Sequence, residues 1–133
     1  MITNPKNGWC NFKLRTFEGT PSYLTDVPVD LLMAFIDYHT KGYSIAWFNE
    51  EGTEFSLVIT PYSVFIIEEK DTTILHDFSE MKIENIEKEL IEDIEKDLYG
   101  WINFTTDDEL EEVKQHENEI RQKLVILKSY IKR

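Results

Sequence analysis

The sequence predicts an α+β fold: an antiparallel β-meander of four to five strands, with one N-terminal helix and two C-terminal helices. Residues 43–78 break into short β-rich runs whose connections are too short for a parallel crossover, which needs a dozen or more residues. Residues 28–40 and the stretch from Ile83 onward instead repeat their apolar residues at three- and four-residue steps, the helical period. An apolar share of 41% and an aromatic share of 13% supply a core despite a net charge of −12.

The elements follow in order. Asn11–Phe17 alternates as a short strand, with Phe12, Leu14 and Thr16 on one side, and Glu18–Ser22, holding Gly19 and Pro21, reads as loop. Asp26 can cap a helix whose first turn takes Pro28 and whose apolar face is Val29, Leu32, Met33, Phe35 and Ile36, ending before Gly42. Four strands come next, Tyr43–Phe48, Phe55–Thr60, Val64–Glu68 and Thr72–Phe78, of which Val64–Ile67 is apolar on both faces and therefore central, with helices on one side and aromatics on the other. Ile83, Ile86, Leu90, Ile94 and Leu98 give an amphipathic helix ending near Gly100. Thr106 and Glu109 have capping-box form and open a third helix over Asp107–Lys132, whose 3,4 spacing runs through Leu110, Val113, Ile120, Leu124, Leu127 and Ile131 if Glu117 fills one slot.

A chain of 133 residues fits one domain, 1–133, with one core. No run reaches the apolar length of a membrane span, and the start lacks the basic and apolar blocks of a signal peptide, so a cytoplasmic protein is expected. Cys10 stands alone and can form no intramolecular disulfide. The strongest compositional signal is polarity: Glu80–Glu119 holds fifteen Asp or Glu against four Lys, whereas Arg121–Arg133 carries five bases and no acid. Part of this suits the macrodipole of the last helix, which favours anions at its start and cations at its end. Glu92, Asp93, Glu95 and Asp97, however, crowd the wrong end of the helix before it. Such charge repels nucleic acid and membranes and favours encounter with a basic protein.

Catalytic chemistry finds little support in the spacing. Asp37 and His39, two apart on a helix, face apart, as do His76 and Asp77 on a strand. Glu112 and His116 share a helical face with Asp108, which reads as a solvated face and not a metal site. No nucleophile elbow, phosphate-binding glycine loop or zinc-protease helix is present, and Cys10 has no basic neighbour to activate it. The expectation is therefore a protein that is not an enzyme, with no cofactor and no metal.

Two surface features are candidates for partner binding. The hairpin tip bearing Glu50 and Glu51, with Glu54, and the later tip bearing Glu68, Glu69 and Asp71 fall at the same end of the meander and predict one negative rim. The second set is Asp107, Asp108, Glu111 and Glu112 with Trp101, whose aromatic joint Tyr99–Phe104 either plugs the core or anchors a partner inside a ring of carboxylates.

With its small size, its acidity, its helix-plus-antiparallel-sheet layout and the stretches Trp47, Phe48, Asn49, Glu50, Glu51, Gly52 and Pro61, Tyr62, Ser63, Val64, Phe65, the chain resembles the small acidic bacterial immunity proteins of polymorphic or contact-dependent toxin systems. That resemblance implies a toxin inhibitor that occludes the basic active cleft of a cognate toxin domain, such as a nuclease, and works as a monomer rather than a homodimer. Two other classes compete: a secretion chaperone or adaptor that binds an effector segment as a dimer, and a small enzyme, which requires a deep pocket with perturbed titrating groups.

Overall fold

The computed structural model describes residues 1–105 and 109–131. The α+β class is as predicted, with two antiparallel sheets instead of one. Strands β1 (Ile2–Lys6), β2 (Trp9–Leu14) and β3 (Phe17–Gly19) form a small sheet in the order β1-β2-β3, and helix α1 (Val27–Lys41) follows. Strands β4 (Ser44–Asn49), β5 (Glu54–Ile59), β6 (Val64–Glu69) and β7 (Thr73–Asp77) form the meander. Helices α2 (Ile83–Lys96), α3 (Leu98–Ile102) and α4 (Leu110–Tyr130) complete the chain.

The N-terminal region departs most from expectation. The strand anticipated at Asn11–Phe17 breaks at Arg15, whose φ of 55° turns β2 into β3, and Phe17–Gly19 is strand where loop was expected. Neither joins the meander. An additional strand, β1, pairs with β2 across Asn7–Gly8, where φ values of 56° and 77° are those of a type I′ turn. Alternation then buries Cys10, Phe12 and Leu14, and on the inner face of the meander the ring of Phe12 lies 5.9 Å from that of Phe48 and those of Phe12 and Phe17 each lie 5.0 Å from that of Phe55. The small sheet therefore covers part of that face, and α1, through Leu31, Leu32 and Phe35, joins the same core.

Helix boundaries respond to local chemistry. Gly42 ends α1 in the left-handed conformation at φ 90°, its N–H donating to the Tyr38 carbonyl, a C-cap that glycine adopts without a Cβ clash. The second helix stops at Lys96, short of Gly100; Asp97 then caps the one-turn α3 by accepting from the Gly100 N–H. On α4 the expected Glu117 slot goes to His116, which with Ile120, Leu124 and Leu127 faces inward against α1. Thr106, Asp107 and Asp108, the expected cap and start of that helix, lie outside the described residues, as do Lys132 and Arg133.

Of the acids at the end of α2, Asp93 and Glu95 have structural partners. Asp93 accepts from the Ile2 N–H at 3.1 Å and from the Met1 amino group, which Glu89 also holds, and Glu95 pairs with Lys128 of α4 at 2.6 Å. Carboxylates that the macrodipole disfavours are thus retained by cations and donors from neighbouring elements. No helix among the described residues is long and apolar enough to cross a membrane.

Candidate functional site

Strand parity decides which side chains face away from the core. Each residue of β4 to β7 alternates between an inner face, where Phe48, Phe55, Leu57, Ile59 and Ile66 are fully buried, and an outer face. Cross-strand register arranges the outer face in rows: Ile45, Val58, Phe65 and Asp77 in one, Trp47, Ser56, Ile67 and Leu75 in the next, then Asn49, Glu54, Glu69 and Thr73. Ile45 is 64% exposed, Leu75 61% and Trp47 46%, and Val58, Phe65 and Ile67 are half-buried by these neighbours alone. The aromatics expected on the second side of the central strand are there, and among the described residues nothing packs over them.

The only charges in these rows are Glu54, Glu69 and Asp77. The pairing of Asn49 with Glu54 and of Glu54 with Glu69 puts both hairpin tips at one end of the sheet, as predicted, and adds exposed Glu51 and Asp71 beside the apolar rows. Not every predicted carboxylate is free. Glu50 folds back, accepting from the Thr20 N–H and the Thr53 hydroxyl, so it ties the tip to the end of the small sheet. Glu54 accepts from the Trp47 indole at 2.6 Å and so orients that ring on the open face. Glu68 points inward, buried, and pairs with His76 at 3.0 Å and Lys70 at 3.2 Å; hydrogen bonding to His76 holds its carboxyl below the usual carboxylate range.

The second predicted set is not assembled. Trp101 is 0% exposed and donates to the Asp93 carbonyl, so it plugs the core and offers a partner nothing. Asp107 and Asp108 lie outside the described residues, and exposed Glu111 and Glu112 open α4 on the far side of α1 from the open sheet face.

Sequence reasoning missed the partners of His39 and His116, because each of these pairings is made by tertiary packing. His39 of α1 meets the buried Glu87 of α2 at 2.5 Å and stacks on Tyr130 of α4. Burial raises the Glu87 carboxyl, against the pull of His39. His116 is not on a solvated face: it is 7% exposed, with Nδ1 2.5 Å from the Ile102 carbonyl and Nε2 2.9 Å from the Asp26 carboxylate. Burial alone would lower its pKa, but the hydrogen bonds to Asp26 and Ile102 carry it above the ordinary value. Asp26 occupies the N-cap position of α1 yet makes no cap hydrogen bond, because its carboxylate is turned to His116. Asp30, one turn on, is pushed up to about 6 by burial and by the charges of Asp26 and Glu119. The thiol of Cys10 is buried and raised to about 12, leaving it inert.

Comparison with protein-family models, curated proteins and solved structures finds no match to this chain.

Proposed function

We propose that the protein is a binding inhibitor that docks the outer face of its four-stranded sheet onto a basic protein surface, in the manner of an immunity protein covering the cleft of a toxin domain. The observation that carries this reading is the open face of Ile45, Trp47 and Leu75 bordered by Glu51, Glu54, Glu69, Asp71 and Asp77, with no cation in the three outward-facing rows and with Lys70, at the second tip, drawn to Glu68. Apolar anchors inside a charged rim are the anatomy of a specific interface. Size and charge favour a basic partner over a second copy. Four strands at about 4.8 Å by six residues at about 3.3 Å give roughly 400 Å², half of what a standard interface takes from each partner, so the charged rim must contribute the remainder. Two copies with a net charge of −12 each would set those rims against one another.

The test is co-expression with the basic domain encoded beside its gene. Wild type is expected to form a 1:1 complex and restore growth, and the Ile45→Glu, Leu75→Glu double variant to lose both while keeping its thermal midpoint. Protection unchanged in the double variant removes the sheet face from the reading, and a neighbouring product that is neither basic nor toxic removes the inhibitor.

A further inference from the structure

We propose that Asp26, His116 and Glu119 form a binding site for one divalent transition-metal cation of the zinc type, joining the start of α1 to the middle of α4. One oxygen or nitrogen from each residue lies within 4.8 Å of the others, two-thirds of them from a His-x-x-Glu turn of α4 and the last from the residue before α1. Donors around a common zinc sit at about 2.0–2.2 Å from it and hence roughly 3–4 Å from each other. Nε2 of His116 and the Asp26 carboxylate are already at 2.9–3.1 Å, and half-exposed Glu119 closes the remainder by a rotamer adjustment. Its present contact is a 3.7 Å i,i+4 pair with the half-buried Lys123, a long and weak one.

Two features separate this cluster from a chance grouping of surface acids. A carbonyl can only accept, so the Ile102 oxygen fixes the proton on Nδ1 of His116 and aims Nε2 at the carboxylates, the support that metal-bound imidazoles receive from an outer partner. Asp26, moreover, leaves the free N–H groups of α1 without its side chain in order to face this point. The set of one imidazole and two carboxylates matches zinc or its neighbours, whereas Ca²⁺ and Mg²⁺ take oxygen ligands. His116 forms the buried floor, and the partial exposure of Asp26 and Glu119 leaves a route for the ion and a coordination position open to water.

Calorimetric titration of the chelator-treated full chain with Zn²⁺ alone is expected to give one site per chain, with no heat from Mg²⁺. Co²⁺ should give visible d–d absorption bands that Zn²⁺ abolishes. Glu119→Gln, at an exposed position, is expected to keep the far-UV spectrum and weaken zinc at least tenfold, and Asp26→Asn to do the same. Absence of a one-to-one site, or zinc affinity unchanged in both variants, would overturn the proposal and leave His116 and Asp26 as an ion pair only.

Discussion

Glu68 lies on the inner face of β6 because strand alternation puts it there, and it persists as a buried carboxylate because His76 and Lys70 reach it. Its folded-state pKa is depressed, mainly by the hydrogen bond to His76, so its contribution to stability is present above the unfolded carboxylate pKa and is lost as pH falls through the folded value. Thermal unfolding of Glu68→Gln against wild type is expected to show the largest gap at pH 7 and a gap that closes toward pH 3; a gap independent of pH would mean the pair contributes by packing alone. Trp101, fully buried at the joint of α2, α3 and α4, is a different case. Trp101→Ala should cost about 3–5 kcal/mol, mainly by leaving a cavity and also by removing the indole's hydrogen bond to the Asp93 carbonyl, measured as a loss of denaturant midpoint.

At the scale of elements, turns and caps carry much of the specification. The Asn7–Gly8 turn pairs Lys6 with Trp9, and an irregularity between Thr3 and Lys6, where Asn4 has φ 55°, shifts the register so that Ile2 pairs with Phe12 while its N–H reaches Asp93 of α2. The αL cap at Gly42 joins α1 to β4 with open space around it, so Gly42→Ala is expected to destabilise by about 1 kcal/mol through backbone strain, without repacking. A larger loss in chemical denaturation would point to a collision that the open surroundings of Gly42 do not contain. α4 owes its place to His116, Ile120, Leu124 and Leu127 packing on α1, while Val125 and Ile126 remain exposed on its other side.

For the whole molecule, the charge is unevenly useful. Many of the acids on α2 and at the first hairpin tip serve the fold itself, holding a backbone N–H, an indole or a lysine. Glu51, Glu69, Asp71 and Asp77 act outward beside the open sheet face, whereas exposed Glu92, Glu111 and Glu112 lie on α2 and α4; those at the sheet should govern encounter more than stability. The association rate with a basic partner is expected to fall steeply between about 0.01 M and 1 M salt, over which the Debye length shrinks from roughly 30 to 3 Å. Stopped-flow mixing measures this directly, and Glu51→Lys with Asp71→Lys should reduce the low-salt rate while changing the stability of the free protein by less than about 0.5 kcal/mol. A rate insensitive to both would show that these carboxylates take no part in steering.

Periods and turn residues settled the local layer. Alternation in 43–78 gave the meander and the shared end of the two acidic tips, because antiparallel strands joined by short loops must return to the same end. The helical spacing of 28–40, closed by Gly42, gave α1 within a residue at either end. The Asn7–Gly8 hairpin was legible too, but the proline and polar residues of β1 masked it. What the chain order could not reveal was which groups meet across separations of 48 or 90 positions, His39 with Glu87 and His116 with Asp26, nor which of its two readings, core plug or partner anchor, Trp101 follows while the outer face with Trp47 stays bare. Sequence periodicity specifies which residues share a face; only the packing of α1 and the small sheet on one side of the meander determines which face is covered and which is left to solvent.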